Sequence, residues 1–219
     1  MTRRTSPLPD IDLFAAPPGP QAVAPEVVLL RRFVATAPLR AEIERVAAAA
    51  PFRRLTTPGG GQMSVAMTNC GEVGWHSDAH GYRYTACDPA TGRPWPAMPE
   101  AFAALAVAAA RDAGFGQYRP DCCLINRYAV GSQMGVHRDY DERDMRQPIV
   151  SVSIGLPAVF VWHGARRRDP AHEVIVRDGD VLVWGGAARP GYHGVRRLRP
   201  GSTPASGELR YNLTFRRAQ

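Results

Sequence analysis

The sequence predicts an α+β fold in which helices cover one face of a β-sandwich. Two helical segments occur in the first half of the chain, and short strands separated by turn residues follow one another after residue 120. That density of strands is typical of a sandwich or barrel, and a double-sheet jelly roll is the natural candidate. The length of 219 residues fits one domain and allows a sizeable core.

Two helices are predicted from capping residues and apolar spacing. The segment "TAPLRAEIERVAAAA" (36–50) starts with threonine, has proline in its first turn and places apolar residues at helical spacing. The segment "PEAFAALAVAAARDAGF" (99–115) predicts a second helix that ends near Gly114. Residues 1–25 are proline-rich and predict an irregular arm. Residues 52–96 mix glycine turns with short apolar pieces, which predicts a hairpin-rich, mobile segment.

The second half of the chain predicts the β core. Its predicted strands are "DCCLINRYAV", "QPIVSVSIG", "AVFVWHG", "HEVIVRD", "GDVLVWGG", "YHGVRRL" and "ELRYNLTFRR". We therefore divide the chain into an arm (1–25) and one domain (26–219), with the jelly-roll core at 120–217.

Composition limits the function classes. The sequence has no run of 18 apolar residues and no secretory signal, so we expect a cytoplasmic protein without a membrane span. Four cysteines without a C-x-x-C pair predict reduced thiols. The net charge of +7 favours a polyanionic partner such as nucleic acid. All 27 basic residues are arginine, which we attribute to codon bias.

A candidate metal site begins at "GVHRDYDERD" (135–144). In an extended strand His137, Asp139 and Asp141 share one face. His193, 54 residues after Asp139, lies in a later strand of the same β region. Two histidines and one carboxylate form the facial triad that holds non-haem Fe(II) with open coordination sites.

Spacing alone does not identify the ligands, because His76 and Asp78 form a second H-x-D pair. That pair lies among glycines without strand alternation, so we interpret it as a decoy, since metal ligands need rigid elements. Arg138 and Tyr140 fall on the face opposite to the proposed ligands. The two further acidic residues of the segment, Glu142 and Asp144, are expected to be solvated.

The last predicted strand, "RYNLTFR", has a polar face made of Arg210, Asn212, Thr214 and Arg216. One interpretation is an edge strand with a solvated face. In the other, the two arginines lie about 20 Å apart along the strand at about 3.3 Å per residue, and their side chains converge on a small dicarboxylate.

Several motifs together resemble one family. They are, in order, "MSVAMTNCG", "GW…GY", "CLINRYAVG", "HRDYDE", "DGDVLVWGG", "YHGV" and "RYNLTFR". The chain resembles the bacterial AlkB family of Fe(II)- and 2-oxoglutarate-dependent DNA dealkylases over about residues 25–217. The resemblance implies a double-stranded β-helix, which is the jelly roll expected above, with a nucleotide-recognition lid at 52–96.

The resemblance also implies the role of each site residue. The iron ligands would be His137, Asp139 and His193. The residues that hold 2-oxoglutarate would be Asn126, Tyr128, Arg210, Asn212 and Arg216. The substrate contacts would be Trp75 and Tyr82 from the lid, Asp141 at the exocyclic amine of the damaged base, and Arg167, whose register within "GARRRDP" stays open. Ordinary core packing is the alternative for Trp75.

The activity that the resemblance implies is direct repair by oxidative demethylation of bases such as 1-methyladenine and 3-methylcytosine. The enzyme would use Fe(II), 2-oxoglutarate and O2, and would release succinate, CO2 and formaldehyde. We expect a monomer that acts on alkylated single-stranded or double-stranded DNA. Two alternatives stay open: an oxygenase of the same fold that acts on RNA, protein or a small molecule, and a basic nucleic-acid-binding protein with a non-catalytic metal site.

Overall fold

The computed structural model describes residues 19–203 and 206–219, so most of the predicted arm lies outside the described residues. The described chain forms three layers: two helices, a large β-sheet and a small β-sheet. One apolar cluster joins the helices to one face of the large sheet. A second apolar cluster joins the other face of the large sheet to the small sheet. This arrangement is the predicted α+β jelly roll.

The large sheet has eight strands in the order β1-β2-β12-β9-β14-β7-β4-β3. In chain order these strands are β1 (Pro20–Ala24), β2 (Val27–Leu30), β3 (Arg53–Thr56), β4 (Gln62–Gly71), β7 (Cys122–Tyr128), β9 (Ile149–Gly155), β12 (Val181–Trp184) and β14 (Arg210–Arg216). Every pairing in it is antiparallel. The last strand of the chain therefore lies in the middle of the sheet, where both of its edges are paired.

The small sheet has four strands in the order β11-β10-β13-β8, and a two-stranded hairpin is separate from both sheets. The small sheet contains β8 (Met134–His137), β10 (Ala158–Gly164), β11 (His172–Val176) and β13 (Tyr192–Val195). The hairpin consists of β5 (Gly74–Asp78) and β6 (Gly81–Thr85). All seven strands predicted after residue 120 are present, and β8 is an addition to them.

Both predicted helices are confirmed, as α1 (Ala37–Ala49) and α2 (Glu100–Asp112). Thr36 occupies the N-cap position of α1, and its hydroxyl donates to the Asp178 carboxylate at 2.8 Å. Apolar residues three and four apart, such as Leu39, Ile43 and Val46, face the large sheet and are buried. No helix of the described residues is long and apolar enough to cross a membrane.

The expectation of an irregular arm up to residue 25 was wrong at its end. The end of the proposed arm, Pro20–Ala24, is an edge strand rather than irregular chain. An edge strand tolerates proline at its first position because no neighbour needs that missing N–H. The segment at 52–96 is hairpin-rich, as predicted, but it is not one unit: its β3–β4 hairpin belongs to the large sheet, where β4 is buried from Val65 to Cys70. Only the β5–β6 hairpin is left as a candidate lid.

Candidate active site

The floor of a cavity of about 780 Å³ is formed by β14 and its two neighbours. Antiparallel pairing places Asn212 opposite Asn126 of β7 and opposite Ser153 of β9. The polar face of β14 lines the cavity, as predicted, with Arg210, Asn212, Thr214 and Arg216. The solvated edge-strand alternative is wrong, because every residue of β14 is buried.

Hydrogen bonds across the strands fix the floor side chains. Asn126 Nδ2 donates to Asn212 Oδ1 at 3.2 Å, and Thr214 Oγ1 donates to the same oxygen at 2.8 Å. Asn212 Nδ2 donates to Ser151 Oγ at 2.8 Å. The sequence did not indicate Ser151, which lines the same cavity. A buried polar network of this kind orients each member through the others.

Arg210 is a buried floor residue whose side chain keeps hydrogen-bond donors available to a ligand. Its Nη2 donates to Ser153 Oγ at 3.1 Å, and its guanidinium lies 5.8 Å from the ring centre of Tyr128. Among the described residues, Arg210 Nε and Nη1 have no hydrogen-bond partner. Burial lowers the pKa of Arg210, since a charged group is desolvated there. Unpaired buried donors of this kind fit an anionic ligand, and a carboxylate matches the guanidinium fork.

The candidate metal ligands meet at one end of this floor. His137, the last residue of β8, is paired directly with His193 of β13. The ligand atoms of His137, Asp139 and His193 all lie within 4.8 Å of one another. Asp139 Oδ1 lies 3.7 Å from His137 Nε2, and Asp139 Oδ2 lies 3.7 Å from His193 Nε2. Within the described residues this is the one group of three such side chains with metal-ligand spacing.

The tautomers of both histidines suit a metal. His137 Nδ1 lies 2.8 Å from Gly135 O, and His193 Nδ1 lies 3.0 Å from Gly191 O. A backbone carbonyl at Nδ1 favours the tautomer that leaves the lone pair on Nε2. Burial, together with the nearby His137, lowers the pKa of His193 to about 4, so this ring is neutral at pH 7. A neutral imidazole is the form that binds metals.

Asp139 belongs to a buried ionic cluster. Arg216 Nη2 contacts Asp139 Oδ2 at 2.8 Å, and Arg216 Nε lies 3.2 Å from Glu142 Oε1. Burial alone would raise the pKa of Asp139, but the charge of Arg216 and the nearby histidines lower it well below its usual value. Tyr84 Oη donates to Glu142 Oε1 at 2.6 Å, and Arg189 Nη2 lies 3.0 Å from Glu142 Oε2.

The expectation that Glu142 is solvated was therefore wrong, and Arg189 was missed. The strand β8 ends at His137, so strict alternation of faces stops there and the chain turns inward at Glu142. For the same reason Arg138, expected on the outer face, lines the cavity. Asp144 is partly exposed and pairs with Arg146. The position of Arg189, in a loop without periodicity, gave no signal of burial.

The β5–β6 hairpin and Asp141 form the wall above the metal ligands. The rings of Trp75 and Tyr82 are stacked, with centres 5.5 Å apart and planes 15° apart. Trp75 Nε1 donates to Asp141 Oδ2 at 2.9 Å. Trp75 also packs against the apolar cluster between the sheets, so core packing and cavity lining are both present. Arg167 lines the cavity, and that settles which arginine of its run faces it.

The decoy pair is already engaged elsewhere. Asp78 accepts two hydrogen bonds from Arg83, at 2.8 and 2.7 Å, within the hairpin. His76 lies in β5, so the expectation that its segment lacks strand structure was wrong. His76 and Asp78 are not part of the group of metal-ligand side chains, as predicted. Arg83 holds the Asp78 carboxylate instead.

Three comparisons identify the family. A family model described as the 2OG-Fe(II) oxygenase superfamily matches residues 26–216. The chain is 52% identical over 211 residues to the alpha-ketoglutarate-dependent dioxygenase AlkB of Salmonella typhimurium, covering 95% of this chain and 98% of that one. The chain belongs to the AlkB family. Identity to AlkB of Escherichia coli is 50% over the same shares of each chain. The solved structure of OsALKBH1 superimposes with a TM-score of 0.78 at 27% identity, covering 90% of this chain and 99% of that one.

Membership of the AlkB family confirms the predicted fold and class of enzyme. This protein is a 2-oxoglutarate-dependent dioxygenase, and its cofactors are Fe(II), 2-oxoglutarate and O2. The site fits both groups on its own geometry: three ligand atoms are grouped for a metal, and unpaired Arg210 donors face the same cavity. The alternative of a binding protein with a non-catalytic metal site is set aside.

Proposed function

We propose that this AlkB-family dioxygenase repairs N-alkylated bases such as 1-methyladenine and 3-methylcytosine in DNA by oxidative demethylation. The observation that carries the proposal is the common cavity, which holds the triad, the unpaired donors of Arg210 and the aromatic wall of Trp75. High identity to two bacterial AlkB proteins over nearly the whole chain supports the same activity.

The metal and co-substrate share the buried half of the cavity in this proposal. His137, Asp139 and His193 hold Fe(II). Arg210 offers Nε and Nη1 to one carboxylate of 2-oxoglutarate, and Arg216 offers Nη1, which is also without a partner among the described residues. The other proposed contacts to 2-oxoglutarate come from three further side chains that line the cavity: Asn126, Tyr128 and Asn212.

Bound iron, 2-oxoglutarate and O2 would supply the oxidation: one oxygen atom would enter succinate as CO2 is lost, and the other would be inserted into a C–H bond of the N-methyl group. The hydroxylated methyl group then leaves the base nitrogen as formaldehyde, which restores the base. The protein positions these reactants and limits the access of water. Buried donors and an apolar surround are suited to that task.

The base is bound at the exposed half of the cavity. A base in a duplex has to be extruded to reach buried ligands, at a cost of a few kcal/mol. Stacking on Trp75 offsets part of that cost, since one base–aromatic contact is worth ~1–3 kcal/mol. Asp141 accepts a hydrogen bond from an exocyclic amine, while Tyr82 and Arg167 contact the same nucleotide. The preferred strand type, the monomeric state and the cytoplasmic location stay predictions.

The experiment combines binding and turnover. Anaerobic addition of Fe(II) and 2-oxoglutarate should produce a visible metal-to-ligand charge-transfer band. Mass spectrometry of single-stranded and double-stranded DNA and of RNA, each with one methylated base, should then show loss of one methyl group per repaired base, with one succinate formed for each. A charge-transfer band without demethylation of any nucleic acid would instead support an oxygenase of the same fold with a protein or small-molecule substrate.

A further inference from the structure

Arg189 is a buried charged residue whose role is not explained by the cavity. Its side chain is 1% exposed and lies directly after the 3₁₀ turn Gly186–Ala188. All three of its nitrogens have partners. Nε donates to Gln147 O at 2.9 Å, Nη1 donates to Asp139 O at 3.1 Å, and Nη2 lies 3.0 Å from Glu142 Oε2.

The partners of Arg189 lie on one segment, residues 138–148, which has no strand or helix. This segment carries Asp139 and Asp141, and only its ends are continuous with strands β8 and β9. Strand pairing holds the two histidine ligands but stops at His137. Arg189 bonds the main chain at Asp139 and again at Gln147, and therefore ties both ends of the segment to one rigid group.

We propose that Arg189, held by its ion pair with Glu142, is a positioning residue for the Asp139 ligand. It fixes the main chain of Asp139 while Arg216 fixes the carboxylate, so the ligand is preoriented from two sides. The proposal rests on the assignment of Asp139 as an iron ligand. Mutation of a residue that orients a metal ligand commonly lowers metal affinity about 10- to 100-fold. We expect a loss of about the same size for Arg189.

Two substitutions separate positioning from simple stability. Arg189→Lys keeps the charge near Glu142 but cannot donate to both carbonyls, because an ammonium lacks the span of the guanidinium fork. Arg189→Met removes the charge and keeps the volume. Arg146→Met is the matched control, since Arg146 belongs to the same segment but is exposed and paired only with Asp144.

The measurement is an anaerobic Fe(II) titration at saturating 2-oxoglutarate, followed by the charge-transfer band, beside thermal melting of the metal-free protein. We expect both Arg189 variants to bind Fe(II) about 10- to 100-fold more weakly, with a displaced band, and Arg146→Met to match the wild type. Glu142→Gln, which weakens the anchor of Arg189, replaces them if neither Arg189 variant folds.

A folded Arg189 variant, or Glu142→Gln where neither Arg189 variant folds, overturns the proposal if it has wild-type iron affinity and an unshifted band, even if its melting temperature falls. That result would make Arg189 a stability residue only. A wild-type protein that fails to bind Fe(II) would instead contradict the assignment of the triad, so the two failures are distinguishable.

An independent observation concerns the mouth of the cavity. Tyr140 is exposed, at 59% of its surface, on the segment that carries the metal ligand Asp139. The Arg138 guanidinium lies 4.5 Å from the ring centre of Tyr140 and 5.6 Å from that of Tyr192. Arg138 and Tyr192 line the cavity itself. These three residues form a ledge that continues from the cavity onto the surface.

We infer that the ledge of Arg138, Tyr140 and Tyr192 binds the nucleotide next to the extruded base. An exposed ring offers a stacking face, and the arginine offers charge to the adjoining phosphate. The inference rests on the proposed nucleic-acid substrate and names a contact outside the cavity. Exposed aromatic surface next to a cation is a common feature of sites for single strands.

The test compares a methylated nucleoside with a trinucleotide that has the same base in its centre. Tyr140→Ala should raise KM for the trinucleotide about 5- to 150-fold, while the nucleoside is turned over as by the wild type. Tyr140→Phe should behave as the wild type with both substrates. An abasic neighbour on one side should reproduce the loss and identify which side is bound. Equal effects on both substrates, or no effect on the trinucleotide, overturn the inference.

Discussion

The floor of the cavity and the β5–β6 hairpin differ in how their side chains are held. Each floor residue lies on a central strand with neighbours on both sides, and Asn212 alone has hydrogen bonds to three side chains. The hairpin is a separate two-stranded sheet, in which Trp75 stacks on Tyr82, donates to Asp141 and packs on one side against the apolar cluster between the sheets. In the proposed assignment, the cofactors therefore bind the half of the cavity with more hydrogen bonds between its side chains, and the base binds the other half.

This comparison predicts the largest loss at the metal ligands. Alanine in place of any member of the triad, His137, Asp139 or His193, should abolish measurable turnover, because three protein ligands are needed to hold iron in the open geometry. His137→Ala is the cleanest variant, since that side chain is 39% exposed and its removal disturbs packing least. Turnover at limiting iron and circular dichroism are the measurements.

The matched control for the triad is Asp78→Ala. It removes the carboxylate of the other H-x-D pair, which contacts Arg83 rather than the cavity. We expect Fe(II) affinity to be unchanged. Wild-type turnover in any triad variant would refute the ligand assignment, and loss of iron binding in Asp78→Ala would refute the decoy interpretation.

A smaller loss is expected at the floor. Arg210→Met should weaken 2-oxoglutarate binding by ~1.5–3 kcal/mol, about ten- to a hundredfold, because a charge-assisted contact is lost. The free protein should be no less stable, since the substitution removes a buried and incompletely paired charge. Titration of the anaerobic iron complex with 2-oxoglutarate measures the first effect, and thermal melting measures the second. An unchanged titration would exclude Arg210 as the carboxylate anchor.

A substitution in the hairpin should weaken binding of the nucleic acid without changing the affinity for the cofactors. Trp75→Ala should raise KM for a methylated oligonucleotide by the equivalent of ~1–3 kcal/mol, because a stacking face is removed. The affinity for 2-oxoglutarate should stay at the wild-type value. If Trp75→Ala changes the KM for the oligonucleotide and the affinity for 2-oxoglutarate by the same factor, the two halves of the cavity are not independent.

The smallest effect is expected in base selectivity. We predict that 1-methyladenine and 3-methylcytosine, which are cationic and carry an exocyclic amine, are repaired better than 1-methylguanine and 3-methylthymine. Asp141→Asn removes the charge but keeps an acceptor for Trp75 Nε1, and should narrow this difference severalfold. The narrowing is limited because a base must replace the existing contact with Trp75.

Competition among four single-stranded oligonucleotides, each with one of these lesions, measures the selectivity. A preference for the uncharged lesions, or an equal loss of all four rates in Asp141→Asn, would exclude Asp141 as the selector. Asp141→Ala, which also breaks the contact with Trp75, then separates the role of charge from that of the hydrogen bond.

The sequence predicted the floor well because strand periodicity is a local signal. The alternation in "RYNLTFR" identified each cavity-facing residue of β14, and Asn126 and Tyr128, which the resemblance named, line the same cavity. It failed beyond β8, where regular pairing ends: Arg138 lines the cavity and Glu142 turns inward. The contact of Glu142 with Arg189 joins two irregular segments that have no shared period. Such a pairing is a property of the folded chain only.

In the proposed assignment, the contact between Arg216 and Asp139 joins the co-substrate site to the iron site. Arg216 contacts Asp139 and still offers Nη1 to the cavity, so one guanidinium borders both sites. Any change that one ligand makes in the affinity for the other must be matched in the reverse direction. A coupling of either sign would make the amount of iron bound depend on the concentration of 2-oxoglutarate.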